Sequence, residues 1–126
     1  DYVSQKGISS YVEFVGVVKD VDRYLAQSKI FAFVSTSEGF PNALGEAVLF
    51  PTASISYNCP AGPEDIIRDD ENGFLVPLGK VEEYATKLKM LMESEELRTR
   101  FEMNAVSDRS KYSMENIGES FFNFMF

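Results

Sequence analysis

The chain has 126 residues with 20 acidic and 12 basic side chains, a formal charge of −8 and no basic cluster, which excludes the usual nucleic-acid binders. Its 44% hydrophobic content can fill the core of one domain, yet no uninterrupted apolar run approaches the roughly 20 residues that span a bilayer. With no His and a single Cys (Cys59), the common zinc sites, a Ser-His-Asp triad and an internal disulfide are excluded as well.

Asp1-Tyr2-Val3-Ser4 opens the chain without a Met or a basic-then-apolar signal, which predicts a piece of a longer or processed protein. Tyr11 to Val18, rich in β-branched and aromatic residues, predicts a strand. Asp20 then opens a short helix with Val21, Tyr24 and Leu25 on one face and Ser28 near its end. Ile30 to Val34 is apolar on both faces, the pattern of a parallel strand covered on both sides. A polar loop from Ser35 to Pro41 leads into a helix from about Asn42 to Phe50, followed by a strand from Ala53 to Tyr57 and a Pro/Gly-rich loop from Asn58 to Pro63.

After a helical turn at Glu64 to Arg68, Asn72-Gly73 signals a turn because both residues tolerate positive φ. Phe74 to Pro77 predicts a short strand. Val81, Tyr84, Leu88 and Leu91 form one helical stripe, and Leu97, Phe101 and Ala105 another. Ser113 can cap a last helix that carries Ile117, Phe121, Phe124 and Met125. Strands alternating with helices across short turns predict an α/β layered fold with a mainly parallel sheet. Such folds bind ligands beyond the carboxyl ends of their strands, which directs attention to Lys19-Asp20 and to Ser35 to Pro41.

Ser35-Thr36-Ser37-Glu38-Gly39-Phe40-Pro41-Asn42 leaves a strand and enters a helix, so first-turn amides and the helix dipole favour an anion there. Gly39 lets the backbone approach a ligand closely. A carboxylate accepts two hydrogen bonds side by side, which suits a vicinal diol, so Glu38 and Glu46 can flank a phosphate joined to sugars. Taken alone, the two glutamates read as solvated helix-end charges.

The wider string Glu38-Gly39-Phe40-Pro41-Asn42-Ala43-Leu44-Gly45-Glu46-Ala47 resembles the Glu-x7-Glu signature of the group 1 (family 4) glycosyltransferases. The resemblance continues through Asn58-Cys59-Pro60-Ala61-Gly62-Pro63-Glu64-Asp65-Ile66-Ile67 and Asp70-Glu71-Asn72-Gly73-Phe74-Leu75-Val76-Pro77. Upstream, Val12-Glu13-Phe14-Val15-Gly16 is similar to the strand that precedes the signature. These ordered segments with matching spacing, over roughly residues 11–110, are far more specific than a lone Glu-x7-Glu.

The resemblance implies a GT-B architecture of two Rossmann-like domains, with residues 1–126 belonging to the C-terminal, nucleotide-sugar-binding one. The acceptor-binding N-terminal domain and the first part of this domain then lie outside the chain. It implies retaining transfer from a nucleoside-diphosphate sugar to a glycan or lipid-linked acceptor, in cell-surface polysaccharide biosynthesis, without a cofactor or metal. It further implies a cytoplasmic protein, peripheral at the inner face of the membrane in one variant of the reading.

By position, Glu46 matches the glutamate on the ribose hydroxyls and Glu38, the catalytic candidate, the one near the donor sugar. Gly39, Phe40, Pro41 and Asn42 match the loop that meets the sugar and diphosphate. Leu44 matches an apolar contact with the nucleoside, and Val17, Val18 and Lys19 the start of a base-contacting loop. In the same-face displacement proposed for the family, the departing phosphate takes the acceptor proton, so the main task of this half is to stabilise the leaving diphosphate.

Some features depart from the pattern. Glu38 to Ile67 contains no Lys or Arg, although unit charges ~4 Å apart interact by about 4 kcal/mol at an effective dielectric near 20. Lys19, Arg23 and Lys29 are the nearest basic residues and read as solvated charges. Pro51 and Ala53 stand where the family carries Gly and Pro, and Leu49 and Phe50 are bulkier than its usual small pair. Gly45 inside a helix costs roughly 1 kcal/mol relative to Ala, to relieve crowding near a nucleoside or to permit close packing.

Asp69 to Gly73 reads as an acidic solvated turn, since it breaks the EF-hand spacing, and Cys59 as an ordinary thiol. Phe121 to Phe126 is expected to pack on its own domain or the missing one, so an isolated fragment would self-associate. A sugar-nucleotide epimerase of the same architecture and a non-catalytic binding module are the alternative functions.

Overall fold

The computed structural model describes residues 1–108; the helix expected after Ser113 and the Phe121–Phe126 segment lie outside the described residues. In chain order the elements are α1 (Tyr2–Gln5), a 3-10 turn (Ser9–Tyr11), α2 (Val21–Gln27), β1 (Ile30–Phe33), α3 (Asn42–Ala47), β2 (Ala53–Asn58), α4 (Pro63–Ile66), β3 (Gly73–Pro77), α5 (Val81–Glu93) and α6 (Glu95–Asp108). The sheet has the order β1-β2-β3 and both ladders are parallel, with Ile30 opposite Ala53 and Ser54 opposite Gly73.

Strand alternation divides the core into two layers. On one face, Ala53, Ile55, Phe74 and Val76 pack with Tyr84, Leu91 and Phe101 from α5 and α6. Phe74 meets Phe101 edge to face at a centroid separation of 4.9 Å. On the other, Leu44 and Val48, from α3 and its end, pack with Ile66 and Ile67 over Phe31, Phe33 and Leu75. Helices therefore cover both faces of a parallel sheet, as a Rossmann-like α/β fold requires.

Tyr84 locks the site end of this sheet from below. Its hydroxyl lies 3.2 Å from the Ile55 carbonyl and 3.3 Å from that of Phe33, the last residue of β1, and donates to this pair. Burial, and secondarily Tyr57, raise its pKa, so the phenol stays protonated and keeps donating.

Ser54, 1% exposed near the start of the central strand β2, carries a hydroxyl without a hydrogen-bond partner among the described residues. Burying an unpaired hydroxyl is costly. Ser54→Ala is accordingly expected to stabilise the fold by about 1 kcal/mol in urea denaturation. A loss of stability would mean that the hydroxyl is satisfied after all, for instance by a bound water.

Four expectations need correction. Tyr11 to Val18 forms no strand: Gly16 adopts φ 64°, which interrupts an extended run, and Val17 is fully exposed. A strand also needs a ladder partner, and among the described residues none pairs with this segment. β1, expected to be covered on both sides, has one neighbouring strand among the described residues and leaves Ala32 exposed. In α2 only Leu25 is buried, while Val21 and Tyr24 are exposed; Thr52 fastens the helix by donating to the carbonyls of Leu25 and Ser28. The helix expected to reach Phe50 ends at Ala47.

The turn after α4 keeps Asp69, Asp70 and Glu71 exposed, as an acidic solvated turn should, but it is tied down at both ends. Asp70, not Asn72 or Gly73, takes the positive φ (60°). Gly73 is required for closeness instead, since a Cβ there would lie 2.8 Å from the Ser54 carbonyl oxygen. Asn72 is 3% exposed; it accepts from the Arg68 amide at 2.7 Å and donates to Ile66 O and to Asp108. Arg68 also pairs with Asp108 and Glu71, and Arg100 with Asp70, so the turn is tied to α6.

Candidate functional site

The loop between β1 and α3 is positioned by its two ends. β1 delivers it at the carboxyl edge of the sheet, and α3 is anchored by the buried Leu44 and Ala47. Pro41 occupies the N-cap position with its ring fully buried, and a proline ring has no acceptor to offer the first-turn amides.

Pro41 is held from outside by the β2–α4 loop. Gly62 stands at φ 124°, and a Cβ on it would lie 2.3 Å from Pro41 Cδ. The segments 38–47 and 58–67, both singled out from the sequence, therefore meet through this proline and glycine.

Between α3 and α4 lies a cleft of about 260 Å³ lined by Phe40, Asn42, Gly45, Glu46, Val48, Leu49 and Ile66. Asn42, Gly45 and Glu46 share one face of α3 because Gly45 and Glu46 are three and four residues on from Asn42; Leu49 joins them from the turn beyond α3, and Ile66 closes the far side. Phe40 (58% exposed) and Leu49 (48%) form apolar walls, and Glu46 is the charged group. The site thus combines an apolar trough with one carboxylate and one carboxamide, suited to a ring that carries hydroxyls.

Glu38 sits apart from this trough. It is half-buried, and Ser35 Oγ donates to its Oε1 at 2.5 Å, which turns the carboxylate back over its own loop. The two glutamates thus lie on successive stretches of one loop–helix unit, with Glu46 in the cleft and Glu38 outside its lining. Gly39 is exposed in that loop, and a Cβ there would meet nothing within 4 Å.

Leu44 requires a correction. It is 0% exposed, packed among Val48, Ile66 and Ile67, so its side chain supports α3 and presents no surface to a nucleoside. Val17 and Lys19 are exposed and Val18 half-buried; none of the three lines the cleft. Lys19, Arg23 and Lys29 are likewise exposed and outside it.

The sequence reading missed the Pro41–Gly62 contact and the part played by Ile66. Spacing could not reveal either, although Asn58 to Pro63 read as a Pro/Gly-rich loop. Among the described residues, no three His, Cys, Asp or Glu side chains are grouped as metal ligands would be, and no helix is long and apolar enough to cross a membrane.

The chain is similar in sequence and fold to known proteins. The family model for "Glycosyl transferases group 1" matches residues 1–108. The chain is 33% identical over 105 residues to the amylovoran biosynthesis glycosyltransferase AmsD of Erwinia amylovora, covering 83% of the chain and 29% of that protein. The crystal structure of the C-terminal domain of a glycosyl transferase group 1 family protein (LpcC) from Francisella tularensis superposes with a TM-score of 0.75 at 31% identity, over 90% of this chain and 60% of that one. TarM of S. aureus, solved in complex with Fondaparinux, alpha-GlcNAc-glycerol and UDP, superposes with a TM-score of 0.83 at 27% identity, over 96% of this chain and 25% of that one. The chain spans about 30% of the length of AmsD and of a similar glycosyltransferase of Haemophilus influenzae.

Proposed function

The chain belongs to the group 1 glycosyl transferases, and we propose that it is the donor-binding part of a longer retaining enzyme that moves a sugar from a nucleoside diphosphate to a glycan or lipid-linked acceptor in surface-polysaccharide assembly. The observation that carries this reading is Glu46, an exposed carboxylate in an apolar trough beside the carboxyl end of a parallel sheet. The carboxylate accepts both hydroxyls of a ribose edge, while loop 39–42 and the first-turn amides of α3 face the diphosphate. Glu38, steadied by Ser35, lies toward the sugar.

The relatives support the setting. AmsD is named for amylovoran biosynthesis, and the TarM structure contains UDP. AmsD and LpcC are both named as transferases, so the epimerase and binding-module alternatives gain no support from them.

In the transfer step the anomeric carbon exchanges its bond to the diphosphate oxygen for one to the acceptor oxygen. The acceptor proton passes to the departing phosphate on the same face. The cleft itself supplies no cation, because Glu38 to Ile67 is free of Lys and Arg. Charge neutralisation of the diphosphate therefore falls to residues outside this stretch, in the remainder of the longer protein.

The test is a thermal-shift panel of uridine, guanosine and adenosine diphosphates and their sugars on the full-length protein. One base class is expected to raise the unfolding midpoint, and no shift with any of them would overturn the reading. The isolated 126-residue chain is expected to bind the same nucleotide weakly and to transfer nothing. Turnover by that chain in a donor-hydrolysis assay would refute the need for outside cations.

A further inference from the structure

Gly45 sits inside α3, where glycine is the least favourable residue after proline. Three structural reasons for a glycine fail here. Its φ is not in the left-handed region, unlike those of Gly7, Gly16, Gly62 and Gly79. Its backbone makes an ordinary helical bond, with the amide donating to Pro41 O at 2.9 Å. Nor does the core exclude a side chain, since a Cβ would meet Ile66 Cδ1 at 3.9 Å and Phe40 Cε1 at 4.0 Å, both normal contact distances.

A methyl group added at Gly45 would instead enter the trough between Phe40 and Ile66, on the face that carries Asn42 and Glu46. The trough holds about 260 Å³, below the ~300–1,000 Å³ typical of pockets that enclose a drug-sized ligand, so it has room for a single ring. We propose that Gly45 is a ligand-binding residue: its missing side chain opens the floor of the trough so that one hydroxyl-bearing ring lies against α3, with its edge on Glu46 and its face on Phe40. This rests on the donor-site reading above, and the ring meant is the ribose of the bound nucleotide. The fold gives up helix stability at this position to keep the floor clear.

The experiment uses the full-length protein as wild type, Gly45→Ala, Gly45→Leu and Glu46→Gln. Each is titrated calorimetrically with UDP, or with GDP or ADP if the panel selects that base, and each is melted in parallel. One added carbon in a close-fitting pocket is typically worth a factor of about 10 or more. Gly45→Ala is therefore expected to weaken nucleotide binding about 10-fold and Gly45→Leu more, with the unfolding midpoint of Gly45→Ala at or above that of the wild type. Glu46→Gln is expected to weaken binding at an unchanged midpoint.

Unchanged affinity in both Gly45 variants, with Glu46→Gln weakened, would overturn the role of Gly45 and leave the donor site standing. Full affinity in all three variants would overturn the donor site itself. A midpoint lowered by several degrees in Gly45→Ala would also defeat the proposal, by making Gly45 a packing glycine.

Discussion

Glu46→Gln in the full-length protein is expected to lower kcat/KM for transfer about 100-fold while leaving the fold intact. A carboxylate that accepts two hydroxyls makes two charge-assisted hydrogen bonds, each worth about 1.5–3 kcal/mol, and Gln retains one acceptor at reduced strength. The loss of roughly 2–4 kcal/mol that follows corresponds to a factor of about 30 to 1,000. Structural cost is expected to be small because Glu46 is exposed and has no ion pair among the described residues. Steady-state kinetics with a coupled nucleotide-release assay, alongside a thermal melt, separates the two effects. Undiminished transfer by Glu46→Gln would sink the donor-site reading, since no other carboxylate lines the cleft among the described residues.

Gly62→Ala is expected to cause the largest loss of stability of any single methyl addition at the site, about 4 kcal/mol. Two costs combine. An L residue at φ 124° and ψ −31° bears backbone strain of order 1–3 kcal/mol, and the new Cβ would collide with Pro41 Cδ at 2.3 Å, where overpacking costs typically 1–3 kcal/mol. Pro41 cannot retreat easily, because its ring is fully buried at the start of α3. The variant is therefore expected to shift the site loop as well, weakening nucleotide binding together with the unfolding midpoint. A midpoint within a degree of wild type would show that this contact does not hold the two loops together.

The paired lesson of Glu46 and Gly62 is that the site is built from a local signal and a distant brace. Asn42 and Glu46 were legible because a helix places residues four apart on one face, so their shared placement follows from spacing, whereas Phe40 was legible only as a member of the motif loop. Pro41 was legible only as a member of the loop, and its brace lies 21 residues on, in a turn whose partner no local pattern names. Leu44 shows the reverse failure: position in the motif suggested a ligand contact, whereas the α3–α4 packing buries it completely.

What the sequence by itself determined is the parallel α/β layering, the strand-to-helix loop that carries Glu38 and Glu46, and membership of the family. All three depend on periodicity and short spacings, which neighbours along the chain enforce. Tertiary structure alone decided that Tyr11 to Val18 is no strand, that Asn72 reaches across 36 residues to Asp108, and that Gly62 clamps Pro41. Each of these depends on a partner far away in the chain. A strand exists only when something completes its hydrogen bonds, and a buried polar or close-packed group is stable only where the fold brings its complement.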